Sequence, residues 1–170
     1  GGAARRGRAA AAGAHERSLY RILRALASLG IFAETDPMTF TITPMSESLR
    51  SDARDSIRDM EIFFSSDFHN RAWNDLMHSV MTGGSASEHA LGFKDFSWFN
   101  DHPEELAIFN NAMTSLSRNS TFPVVQAYDF SGVEHVVDVG GGHGFLLAGI
   151  LQANPHLHGT LYDLPMVVEG

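Results

Sequence analysis

The 170-residue chain has no cysteine. Disulfides, thiolate zinc sites and cysteine nucleophiles are therefore excluded. Nowhere does it hold the roughly 18 consecutive apolar residues that a membrane helix needs. The opening Gly1–Arg6 stretch leads into no apolar run, so neither a membrane span nor a secretory leader is expected. Charge is scarce at 19%, against 44% apolar residues, which speaks against a disordered chain and for a sizeable core. A globular cytoplasmic chain without membrane partners is the expectation. No metal site is expected, and no internal repeat is visible.

The net charge of −8 is unevenly spread. Residues 1–30 carry six arginines and one glutamate, a balance of +5, and the remaining 140 carry a balance of −13. An acidic body is a poor partner for nucleic acid. Arg17, Arg21 and Arg24 recur at steps of four and three, the solvated side of one helix.

Leu19, Ile22, Leu23, Leu26 and Leu29 form one helical stripe, and Gly30 stands where a terminating glycine belongs. Ile31 and Phe32, a turn at Asp36-Pro37, and a half-buried strand over 39–43, alternating through Phe40 and Ile42, follow. Helix, glycine, short strand, turn and strand make a winged-helix pattern. Residues 55–82 read as helical, with Met60, Phe63, Phe64, Trp73, Leu76, Met77 and Val80 as the apolar set. Thr82-Gly83-Gly84-Ser85 breaks them. An aromatic stretch, Phe93, Phe96, Trp98 and Phe99, suits core packing or a flat apolar ligand. Asp101 starts the next helix, with Pro103 in the first turn and Glu104 completing a capping box. Its buried stripe is Leu106, Phe109, Met113 and Leu116.

The character changes near residue 126. Val136–Val139 is a short strand, Gly140–Gly144 a glycine loop, Phe145–Ala153 a helix stopped by Asn154-Pro155, and Thr160–Tyr162 a second strand ending at Asp163. This is one βαβ unit. A phosphate-cradling loop needs Lys-Ser/Thr after its last glycine, but Phe145-Leu146 follows. A dinucleotide fingerprint needs Gly or Ala where Phe145 stands. Asp138-x-Gly140-x-Gly142-x-Gly144, with Asp163 placed for ribose hydroxyls 19 residues on, fits a third pattern. It looks like the cofactor loop of the S-adenosylmethionine-dependent methyltransferases. A tight turn in an unrelated α/β protein is the plainer alternative.

The resemblance extends further. The segment 136–144 followed by Tyr162-Asp163-Leu164-Pro165 resembles the small-molecule O-methyltransferases that include the plant caffeate and flavonoid enzymes and their bacterial relatives. Residues 19–26 are similar to the helix of that family's winged-helix dimerisation domain, and Phe109–Met113 to its helix leading into the cofactor domain. The resemblance implies a mostly α N-terminal winged-helix dimerisation and substrate-capping region over 1–125. The start of an α/β Rossmann-like methyltransferase domain would follow over 126–170. It implies S-adenosyl-L-methionine as cofactor, held by Gly140, Gly142, Gly144 and Asp163, with Met113 and Ser117 near cofactor and acceptor. Asp138 would do no more than bond loop amides.

The implied acceptor is a hydroxyl on a small aromatic or polyketide-like molecule, and the implied assembly is a homodimer. The family's base is a histidine well downstream of the second strand, beyond residue 170, so no catalytic residue is named. His143 sits in the loop, and His156 and His158 precede the second strand, away from the ligand edge. Two strands of an expected seven point to a fragment without activity of its own. The rival readings are a winged-helix DNA-binding regulator, a non-catalytic dimerisation module, and another nucleotide enzyme. The wing segment 31–45 has no basic residue and carries Glu34 and Asp36, which disfavours the first.

Overall fold

A computed structural model describes residues 12–168. The arginines at 5, 6 and 8 of the basic start lie outside the described residues. Two compact units divide between Ser56 and Ile57.

In the first unit α1 (Glu16–Ser28) leads into an antiparallel hairpin of β1 (Phe32–Asp36) and β2 (Thr39–Ile42). The helix stops as its sequence predicts. Gly30 has φ +79°, its N–H reaches Ala27 O at 3.0 Å, and the Ile31 N–H reaches Leu26 O at 3.0 Å. These two bonds satisfy carbonyls that a helix end would leave open. The hairpin register slips between Glu34 and Asp36, and Met38 takes the turn at φ +62°. Tyr20 packs its ring on Phe40 at 5.9 Å and donates its hydroxyl to Glu34 Oε1 at 3.0 Å. Phe40 is buried as expected, whereas Ile42 is 46% exposed. The apolar face is thus longer than the cover Tyr20 gives it. A short helix, α2 (Pro44–Glu47), is closed by a capping box between Thr43 and Ser46.

The second unit begins with helices. The stretch expected as one helical segment is three: α3 (Arg58–Phe64), α4 (Asp67–Asn74) and α5 (Leu76–Thr82). Ser66 forces the first break, since its hydroxyl accepts the His69 N–H at 3.2 Å and starts a new helix. Asp75, at φ −97° and ψ 13°, makes the second. α6 (Ala86–Leu91) follows the glycine pair, and a 3-10 turn spans Phe96–Asp101. The aromatic stretch closes there on Phe68 and Phe109, with Phe99 only 1% exposed.

The long helix α7 (Pro103–Ala127) starts two residues later than Asp101. His102 is its cap residue and makes no side-chain cap bond, so the expected capping box is absent. Asp101 belongs to the preceding 3-10 turn. Pro103 does occupy the first turn. The division drawn at 125/126 falls in the last turn of this helix.

β3 (His135–Val139), α8 (Phe145–Ala153) and β4 (His158–Tyr162) form the βαβ unit, with the strands parallel and Asp138 opposite Leu161. A final turn of helix, α9, covers Pro165–Val168. Phe130, Ile150 and Leu157 are the buried centre, flanked by Val125, Val133 and Val136. α7 packs on α8 where Gly149 meets Thr121. Along β3, Val136 and Asp138 are half-buried, while Val137 (56%) and Val139 (73%) are exposed. Parallel strands are ordinarily covered on both faces, whereas this face of the sheet is uncovered among the described residues.

Candidate functional site

The glycine loop sits at the carboxyl ends of the parallel strands, where open α/β sheets bind ligands. The Gly140 N–H continues the sheet, donating to Tyr162 O at 2.8 Å. Gly140, Gly142 and Gly144 have φ of +73°, +60° and +71°, a region that side chains rarely enter. This alternation wraps the backbone tightly enough for Gly144 to donate to Gly141 O at 2.9 Å and then start α8.

Asp163 closes the loop from the next strand. Its Oδ2 accepts the Gly142 N–H at 2.7 Å, and its Oδ1 accepts the Leu164 N–H at 2.7 Å. The carboxylate that holds a loop amide is thus Asp163, a role expected of Asp138. Asp138 instead lies under Gly141. A Cβ built on Gly141 would come 2.6 Å from the Asp138 carboxylate and 2.5 Å from Leu161 Cδ1. Gly141 is therefore a steric requirement that the sequence pattern did not single out, because what excludes its side chain lies beneath the loop.

α7 supplies the opposite wall. Together with the loop it encloses a cavity of about 530 Å³, within the usual range for a small-molecule site. Gly140, Gly142, Asp163, Met113 and Ser117 all line it. Gly144 does not; it turns the chain into α8 and packs on Leu161. The stripe expected to be buried on α7 is instead cavity wall. Leu106, Phe109, Met113 and Leu116 line the space, Leu116 being 53% exposed, while the buried positions of the helix are Ala112, Ser115 and Thr121. Phe96 completes the apolar side, so the aromatic stretch serves both core and cavity.

Two contacts tie wall to loop. Thr114 Oγ1 and His143 Nδ1 are 2.9 Å apart. The Arg118 guanidinium stands 5.5 Å over the Phe145 ring. The lining carries one carboxylate, Asp163, and no Lys or Arg. His158 is at the far end of the sheet, paired with His135, and His156 reaches Phe130 O at 3.2 Å. Neither lines the cavity.

Residues 73–170 match the sequence profile of the O-methyltransferase domain. The chain belongs to the O-methyltransferase domain family. It is 41% identical over 162 residues to a phenazine O-methyltransferase, PhzM, of Lysobacter antibioticus, covering 95% of this chain and 47% of that protein. The crystal structure of LaPhzM superposes with a TM-score of 0.91 at 40% identity, over 97% of this chain and 49% of that one. NcsB1, an O-methyltransferase of neocarzinostatin biosynthesis solved with S-adenosyl-L-homocysteine and 1,4-dihydroxy-2-naphthoic acid, gives a TM-score of 0.73 at 32% identity. It is covered over 49% of its length, by 95% of this chain. The chain therefore spans about half the length of the relatives it matches.

Proposed function

We propose that this chain is part of an S-adenosylmethionine-dependent O-methyltransferase acting on a hydroxyl of a small aromatic or polyketide-like acceptor. The observation that carries the reading is one cavity joining the glycine loop, Asp163, Met113 and Ser117, with no Lys or Arg on its wall. A phosphate-bearing nucleotide would find no Lys or Arg there, whereas a cofactor without phosphate needs none. The residues fit that cofactor. The loop lets backbone approach a ligand, since at Gly140 and Gly142 the space a side chain would take is open. Each Asp163 oxygen accepts one N–H and keeps a lone pair for a ribose hydroxyl.

When bound, the cofactor supplies an electrophilic methyl group on a sulfonium sulfur. The chain's own residues bind and align. Gly140, Gly142 and Gly144 shape the cradle, Asp163 orients the ribose, and Met113 and Ser117 face the cofactor and acceptor from α7. The apolar wall of Phe96, Leu106 and Phe109 suits a flat acceptor and keeps water away from the reacting oxygen. Alignment of this kind is the main requirement of an in-line transfer. No lining residue is assigned as base; His143 is engaged by Thr114. The chain by itself is expected to show no turnover.

We read residues 1–125 as the winged-helix dimerisation and capping region and 126–170 as the first βαβ unit of the cofactor domain, in a cytoplasmic homodimer. The dimer reading is supported by exposed Ile22 on α1 and Leu29 just after it, and by Trp73, Leu76, Met77 and Val80 further on. Among the described residues no helix is long and apolar enough to cross a membrane.

The test is calorimetric titration of the chain with S-adenosylhomocysteine beside an Asp163→Ala variant. Binding lost in the variant supports the reading. No binding to the parent chain overturns the claim that these residues assemble the site by themselves.

A further inference from the structure

Away from the cavity, among the described residues, Asp75, His78 and His89 bring one ligand atom each to within 4.8 Å of one another. Asp75 stands immediately before α5 and makes no side-chain cap bond, and His78 follows one turn along the same face. His89 lies on α6, which the glycine pair folds back beside α5. The hairpin is fixed by bonds outside the trio. Ser79 Oγ accepts the Ala86 N–H at 3.0 Å, and Ser85 Oγ accepts the Glu88 N–H at 3.2 Å. The two imidazoles stack with centroids 3.9 Å apart and planes 5° from parallel, and His89 Nδ1 is 2.6 Å from Asp75 Oδ2.

We propose that Asp75, His78 and His89 form a binding site for a borderline divalent cation, zinc foremost, that pins α5 to α6. Two imidazoles and one carboxylate are a donor set that zinc favours, and one that magnesium and calcium, which prefer oxygen, do not. Bonds of about 2.0–2.1 Å place donors roughly 3.4 Å apart around a tetrahedral ion. To meet one ion the ligand atoms must close from within 4.8 Å, and the stacked rings of His78 and His89 must turn so that both planes pass through it. His89, 58% exposed at its side chain, is free to make its share, and Asp75 is 29% exposed. A hydrogen-bonded clip between the helices needs only Asp75 and His89. His78 stacks on His89 and brings the third donor atom to the cluster. On binding, the ion takes the place of the proton shared by His89 and Asp75. His89 then carries its proton on the other ring nitrogen, and water fills the fourth position. The site is separate from the methyl-transfer reading and does not depend on it.

The chelator-treated chain is titrated calorimetrically with zinc chloride beside the variants His78→Gln and His89→Gln, with magnesium chloride as control. One equivalent of zinc is expected to bind the parent, about ten-fold or more weaker in each variant, and magnesium is expected to give no heat. Absence of zinc binding, or binding unchanged in the variants, overturns the site and leaves a hydrogen-bonded clip. Cobalt(II) added to the unmodified chain gives a second measurement that needs no variant. Intense visible bands of a four-coordinate ion support the site, and the weak spectrum of the hydrated ion overturns it.

Discussion

The packing of α7 on α8 positions Met113 and Ser117 against the glycine loop, and its tightest contact is that of Thr121 with Gly149. Thr121 is buried, and its hydroxyl is committed to Ser117 O at 2.7 Å, which fixes where its methyl points. That methyl occupies the place a Cβ on Gly149 would take. Gly149→Ala should therefore overpack the contact at a cost of roughly 1–3 kcal/mol. The better helix propensity of alanine offsets about 1 kcal/mol of that, leaving a net loss of about 0–2 kcal/mol. Thr121→Ser removes the methyl and should cost about 1 kcal/mol. In the double variant the methyl has moved from one helix to the other, so stability should return to within about 1 kcal/mol of the parent. Independent effects would instead add to the sum of the two measured single losses, roughly 1–3 kcal/mol. Urea unfolding followed by tryptophan emission is the assay, since Trp73 and Trp98 both lie in the unit that contains this contact. A double variant as unstable as the sum of the singles would refute the packing described here.

Gly141→Ala should weaken S-adenosylhomocysteine binding at least about ten-fold, near 1.4 kcal/mol, because the new methyl collides with Asp138 and Leu161 and displaces the loop; calorimetry checks it. Thr114→Val removes the hydroxyl partner of His143 and should weaken the same binding by about 0.5–1.5 kcal/mol, with Thr114→Ser retaining it. The Ser97 hydroxyl first, and then the Ser97 N–H that Asp95 Oδ1 accepts at 2.8 Å, hold the Asp95 carboxyl below the ordinary 3.8. A carboxyl lowered on folding stabilises the fold above its unfolded value, and the contribution is lost as pH falls through the folded value. Asp95→Asn keeps the cap but not the charge, so its stability should fall less steeply than the parent's below pH 4 in acid-unfolding curves.

The βαβ unit was legible because its signals are local. Asn154-Pro155 stops α8 where the pattern places the stop, and Gly30 does the same for α1. The three-helix segment was not, because Ser66 is an ordinary polar residue until its hydroxyl turns onto the His69 amide. Apolar spacing on α7 identified which residues share a face but not what covers it, and Leu116 and Phe109 turned out to border a cavity. Asp163 was recognisable by its place after β4, yet its hold on Gly142 depends on a side-chain direction that no spacing encodes. The proximity of His89 to Asp75 likewise arises only when the Gly83-Gly84 turn folds α6 back.

If the proposed function holds, the cavity between α7 and the glycine loop receives the cofactor. Amide chemical-shift mapping of the labelled chain during titration with S-adenosylhomocysteine tests this most directly. The predicted result is perturbation of Gly140, Gly142, Gly144 and Asp163 together with Met113 and Ser117, while residues 16–42 stay unchanged. Shifts confined to residues outside the cavity, or none at the glycine loop, would contradict it.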